Sequence, residues 1–318
     1  MNAKNIILAI LMVMSFTACS SEIEGIDNNT TANEVNNLQG ASLFVHMVTG
    51  DMQTKSGSVE DGTTITNYVI AVFEAGSKER VGYATGMDIN KTTKSVDLKD
   101  CKEGQVDVIV VANVGDVNAF DNLYTYDEFS SVKVDNPDNL TKVGTGSVTL
   151  KKGEANKLEV TLNQLTARVN VTLNPDVKIT RNDDTNKAVS ATVKIGKYNN
   201  NIVKSSMILN QTSQAGSNHQ SEDVNGNGFS YYTYPVQNPK LTIEGLFEIS
   251  VDETVTPSVK SIEVPFNVKG TPLTELLAGN SYDLNVTAAL TVTDKMYEVT
   301  FTYELVKISE FNNNIEYN

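Results

Sequence analysis

Tryptophan is absent from this chain of 318 residues, and histidine and cysteine occur twice each. Each scarcity closes a route. His46 and His219 are too few for the common acid–base constellations, and the sequence sets no nucleophile beside either. His46 lies among apolar residues in a strand-like run and His219 in a polar loop, so both read as structural or solvated. Two cysteines cannot staple a disulfide scaffold. Dense Lys/Arg clusters are missing and the formal net charge is −14. That balance argues against nucleic acid, and against adhesion to an anionic membrane by charge. Beyond the N-terminus, no apolar run is long enough to span a bilayer.

What is present starts at residue 1. Lys4 precedes an apolar run over 6–14, followed by Ser15-Phe-Thr-Ala-Cys19. A positive start, a short greasy core and small residues before a cysteine form a bacterial lipoprotein export signal over 1–18. The core is about half the length that crosses a membrane. Cys19 is the expected lipid-bearing residue, although Phe16 stands where such signals usually carry Leu. Acylation of Cys19 leaves Cys101 as the only thiol, an incidental one in the charged turn Lys99-Asp-Cys-Lys-Glu103, so no internal disulfide is expected.

Residues 19–40 are polar and Asn-rich, the composition of a flexible tether. Short β-type runs separated by Gly/Asn/Asp turns follow, and their spacing points to all-β sandwiches. The clearest cover 41–49, 64–74, 105–113, 146–150, 157–162, 167–173 and 189–195, then 229–234, 241–250, 260–268, 282–292 and 297–308. Val69-Ile-Ala-Val-Phe73 and Val108-Ile-Val-Val111 are continuously apolar, as central strands covered on both faces are. Thr125-Tyr-Asp-Glu128 is a capping box and predicts one short helix ending near Ser131. Asn174-Pro-Asp176 and residues 181–187 read as turns, and a domain boundary is expected around 163–168.

Three patterns imitate chemistry. Asp223-Val-Asn-Gly-Asn-Gly228 copies the first half of a calcium loop, but its twelfth position is Tyr234, so a turn entering a strand explains it better. Tyr231, Tyr232 and Tyr234 could stack on sugars, and also suit an ordinary strand. Asp183-Asp184 sits in a loop of solvated carboxylates. No metal, cofactor or enzymatic activity is expected.

Four segments resemble one family, the Bacteroidales fimbrillins that build surface pili. Leu43-Phe-Val-His-Met-Val-Thr-Gly-Asp51 with Thr54-Lys55 is similar to the family's first strand and processing loop. Val108-Ile-Val-Val-Ala-Asn-Val-Gly115 is similar to its buried strand ending in Ala-Asn-x-Gly. Leu165-Thr-Ala-Arg-Val169 resembles the strand opening the second domain, and Ala278-Gly-Asn-Ser-Tyr-Asp-Leu-Asn-Val286 a late strand. The resemblance implies two transthyretin-like β-sandwiches in tandem, over 41–165 and 166–318, with the short helix in the first. It also implies a precursor lipidated and carried to the outer membrane, then cut by a trypsin-like protease after its first strand. The C-terminal strand of a neighbouring subunit then fills the vacated groove.

The residues accommodate this route. Residues 49–64 are polar and Gly-rich, as nicked loops are. Lys55 is their basic residue where the family usually presents Arg, so cleavage is expected between Lys55 and Ser56 and would remove 41–55. That loss would uncover an unpaired ladder. Tyr297, Val299, Phe301, Tyr303 and Leu305 alternate with polar residues, one apolar face suited to the slot. Their burial contributes on the order of 10 kcal/mol before ordering costs. Three readings stay open: a shaft subunit that polymerises into fimbriae supporting adhesion, a lipid-retained anchor or tip subunit, and a surface glycan-binding lipoprotein.

Overall fold

Period-two burial dominates the strands. In Ala41–Thr49 every second residue, from Ala41 to Thr49, is buried and those between are half-buried. Asn67–Glu74 instead buries seven consecutive residues. In this computed structural model, residues 20–21, 40–49, 64–87, 94–184, 186–268, 270–293 and 296–310 are described.

The fold is all-β. The first sheet runs in the order Ser20–Ser21, Ser95–Cys101, Ala41–Thr49, Ala155–Gln164, Lys142–Leu150, Gly104–Ala112, Asn67–Glu74, Arg80–Met87. Its two halves meet at only two ladder positions, Lys142 with Gln164 and Val143 with Asn163. The sheet turns back on itself at this corner. Leu43, Val45, Val96, Leu98 and Val160 of one half share a core with Ile70, Val72, Val108 and Val110 of the other. Gly144 permits the close crossing, since a Cβ there would lie 2.4 Å from the Thr161 carbonyl oxygen.

The opposite face of Asn67–Glu74 is covered as well. Val69, Ala71 and Phe73 pack in the other core with Phe120 and Phe129. Phe129 belongs to the helix Tyr126–Ser130, whose Thr125–Glu128 capping box is formed in both directions. Its ring meets Phe73 edge-on at 5.6 Å between centroids. The continuous apolar run in this strand is thus explained by cover on both sides.

The second sandwich is built on Thr254–Glu263, Leu241–Val251, Val189–Ile202, Ala167–Asn182, Asn280–Thr293 and Tyr297–Glu310, in that sheet order. Ser217–Gln220 pairs with Val189–Ile202, and Gly228–Thr233 with Ala167–Asn182. The expected turn at Asn174-Pro-Asp176 is corrected here. The strand continues through it, with a register shift between Asn174 and Lys178. Pro175, which has no N–H for a ladder, is tolerated at such an irregularity, and Asp176 pairs across to Thr192 of the other half.

Two other expectations change. Cys101 ends a strand, is fully buried and is disulfide-bonded, so it is not an incidental free thiol in a turn. The chain's other cysteine, Cys19, lies outside the described residues. Ser20–Ser21, assigned to the tether, pairs with Lys99 and Leu98 at the sheet edge.

Two asparagines stitch the strand entrances together. Asn113 adopts φ of 59°, a left-handed conformation that Asn tolerates better than most residues. Its Oδ1 accepts from the Thr66 N–H at 2.8 Å and its Nδ2 donates to the Thr64 carbonyl at 2.9 Å. Asn67 returns the arrangement, bonding both the N–H and the carbonyl of Val114. Asn113→Ala should lower stability by about 1–3 kcal/mol, through the lost side-chain bonds to Thr64 and Thr66 and the strained φ. Asn113→Gly, which relieves only the strain, should lose less. Urea denaturation of both variants checks the ranking, and an unchanged midpoint in Asn113→Ala would contradict it.

Candidate functional site

The expected acceptor strand lies inside its sheet, not at an edge. Ala41–Thr49 runs antiparallel to Ser95–Cys101 and parallel to Ala155–Gln164. Both ladders are therefore used. Leu43, Val45 and Met47 are fully buried, each contributing roughly 1.5–3 kcal/mol by burial. Side chains add fasteners along its length. Asn156 Nδ2 donates to the Ser42 carbonyl at 2.8 Å, His46 Nδ1 meets Ser95 Oγ at 3.0 Å, and Lys94 Nζ donates to Thr49 Oγ1 at 2.7 Å. Taking this strand away would leave a two-walled slot floored by apolar side chains.

The expected donor is held differently. Among the described residues, Tyr297–Glu310 is the edge of the second sheet and pairs only with Asn280–Thr293. Val299, Phe301, Tyr303 and Leu305 lie opposite Leu290, Ala288, Val286 and Leu284, all buried. The apolar face thus points inward, as the alternation predicts. Val299, Phe301 and Leu305 pack against the core as partly buried residues. The Phe301 ring meets Phe247 edge-on at 5.3 Å and fills the space above Gly245, where a Cβ would come within 2.8 Å of its Cζ. Tyr297 and Tyr303 remain 47% and 43% exposed. One ladder and a half-covered face hold this strand, against two ladders and a closed face for the other.

The remaining site residues scatter. Cys19, Lys55 and Ser56 lie outside the described residues. Where the chain is described again, at Thr64, the Asn113 and Asn67 bonds grip it immediately. Asp223 to Gly228 is an irregular segment, with a bridge between Gly226 and Ile195, that leads into Gly228–Thr233. Asp183 is bonded twice by the Arg181 guanidinium, at 2.9 and 2.7 Å. Among the described residues, no group of three or more His, Cys, Asp or Glu side chains could hold a metal ion. Tyr231 and Tyr232 line a cavity, whereas Tyr234 is fully buried elsewhere in the core, where burial pushes its phenol up to about 12. Sequence reasoning missed the slot's own wall, Ser95–Cys101, whose charged SVDLKDC pattern carries only the alternating Val96 and Leu98 as a signal.

No protein-family model matches the chain, and no curated protein matches it. Solved structures do. A candidate cell adhesion protein of Parabacteroides distasonis superposes with a TM-score of 0.58 at 15% identity, over 87% of this chain and 99% of that one. A fimbrilin of Porphyromonas gingivalis gives 0.53 at 14% identity, over 80% and 90%. The tip fimbrial protein of Porphyromonas gingivalis gives 0.51 at 15% identity, over 83% and 98%. The chain shares the fold of these fimbrial and adhesion proteins, the fold expected from its resemblance to fimbrillins.

The unequal grip on the last strand is measurable in the intact monomer. Tyr303→Asp should change unfolding free energy by less than about 1 kcal/mol, since the ring is half exposed. Phe301→Ala should cost about 2–3 kcal/mol through lost packing on Phe247. Chemical denaturation that ranks Tyr303 above Phe301 would show that the strand is held in another way.

Proposed function

We propose that this chain is a structural subunit of a surface fimbria of the Bacteroidales fimbrillin kind. In this reading it is exported as a lipoprotein bearing lipid on Cys19, reaches the outer membrane, and is cut between Lys55 and Ser56 by a trypsin-like protease. It then polymerises with its own kind and with other fimbrial subunits by strand exchange, and the filament supports adhesion. The observation that carries the proposal is the asymmetry between the two strands. A terminal strand on one ladder gains a second ladder and full cover by entering the slot of Ala41–Thr49 in a neighbour. The shared fold with fimbrial proteins supports the same reading.

Bulk is the main cost. The slot is shaped for Ala41, Leu43, Val45, Met47 and Thr49, and the donor face presents Tyr297, Val299, Phe301, Tyr303 and Leu305. Overpacking of this kind costs about 1–3 kcal/mol, less than the burial of several side chains contributes. The two tyrosines left half exposed at home are the donor residues with most area still to cover.

Mature protein recovered from the cell surface should begin at Ser56, and Lys55→Ala should leave the precursor uncut and monomeric, read by N-terminal sequencing and gel mobility without heating. A surface form that keeps an acylated Cys19 as its sole species would instead support the lipid-retained anchor or tip subunit. Tyr303→Asp should stop polymerisation of cut protein while sparing the monomer. Lipid and disulfide compete for the same chemistry, because a Cys19 sulfur held in a thioether cannot bond Cys101. An acylated precursor, unfolded without reductant, should therefore expose one maleimide-reactive thiol. None before reduction would refute lipidation.

A further inference from the structure

A cavity of about 560 Å³ opens where residues 135–138 approach the second sandwich. Lys133–Asp135 pairs there with Ser205–Met207, which ties the connecting segment to the sandwich beside the opening. Asp135 and Asp138 line one side, and Tyr198, Asn200, His219 and Tyr231 the other. The aromatic wall is organised. Tyr198 stacks on Phe229 at 3.9 Å with the rings 3° from parallel, and lies 5.8 Å from Tyr231.

Asn200 is the telling residue. It is 4% exposed, yet among the described residues neither its Nδ2 nor its Oδ1 has a partner in normal hydrogen-bond geometry. The Tyr231 hydroxyl lies near enough to feel the amide, but without the geometry of a normal hydrogen bond. Buried amides are almost always satisfied, so an orphaned donor and acceptor side by side call for something in the cavity. One water is too small an answer, because its share of liquid volume is about 30 Å³. The cavity instead falls within the range of small-molecule sites.

We propose that this cavity binds a neutral hexose unit of a glycan. One edge of an amide presents an N–H donor beside a carbonyl acceptor, at the spacing of vicinal hydroxyls. The carboxylates of Asp135 and Asp138 accept from further hydroxyls, and tyrosine rings give the sugar's C–H surface an apolar wall. Two carboxylates against the single ammonium of Lys204 disfavour phosphate, sulfate or an acidic sugar. Of the three tyrosines singled out in the sequence, Tyr231 and Tyr232 belong to this site and Tyr234 does not. The site is complete within one chain and does not depend on strand exchange.

Saturation-transfer NMR on the unpolymerised full chain tests it, with methyl α-mannoside, methyl β-galactoside and methyl β-glucoside as probes and propylammonium as a cationic control. Transfer to at least one hexoside is expected. Asn200→Leu should weaken that binding at least about tenfold, the scale of losing paired hydrogen bonds, while its melting temperature stays level or rises. Asp138→Asn, on the exposed side, should weaken it too and guards against a folding failure in the first variant. Silence from all three hexosides overturns the proposal, as does equal binding in both folded variants. Saturation of propylammonium alone would overturn it in favour of a cationic ligand.

Discussion

A strand of nine residues placed between two others, with its inward side chains sealed from water, sets the terms for the whole N-terminal half. Ala41–Thr49 completes the half-sheet between Ser95–Cys101 and Ala155–Gln164, and those two walls do not touch each other in the ladder order. Without the middle strand they would face each other across one strand's width, each with an open row of N–H and C=O groups. Unpaired rows of that kind are costly when buried and adhesive when exposed. The half-sheet therefore has two comfortable states: filled by its own chain, or filled by another.

The core arrangement makes the filled state tolerant of a change of occupant. Asn67–Glu74 is secured on its far face by Phe120 and Phe129, independently of the slot. Asn113 and Asn67 secure its near end with bonds to Thr64, Thr66 and Val114. A cut within 50–63 would thus leave the following strand anchored. The damage would stay confined to the half-sheet whose strand departs.

Much of this was legible in the sequence where burial imposes a period. Ala41–Thr49 was readable to the residue because Leu43, Val45 and Met47 alternate with more exposed neighbours. The two continuous apolar runs announced strands covered twice, and Thr125 with Glu128 announced the helix. Legibility failed where another constraint outweighed pattern. Arg80–Met87 holds two glycines and few large apolar residues, so its period is faint. Ser95–Cys101 hides an edge-side wall behind Asp97, Lys99 and Asp100. Pro175 suggested a turn because the sequence cannot show a strand passing from one half of a sandwich to the other. The cavity was less legible still. Its residues come from four stretches between 135 and 232, and Asn200 looks like any polar strand residue until its surroundings are known.

The same geometry constrains how exchange would proceed. Cutting the loop does not empty the slot, because Leu43, Val45 and Met47 and two ladders still hold the severed strand. Spontaneous loss would cost roughly 5–10 kcal/mol of apolar burial, together with every ladder bond, before any incoming strand contributed. A pathway in which the donor enters as the old strand leaves replaces contacts one pair at a time and never exposes the whole slot. The end near Thr49 is the natural place to begin: it adjoins the loop that holds Lys55, and among the described residues its fastenings beyond the ladder to Val160–Leu162 come from Lys94. At the other end, Asn156 clasps the Ser42 carbonyl and Cys101 lies opposite Ala41. Exchange would then run from the cut toward the buried cysteine, with the tightest fastening released last.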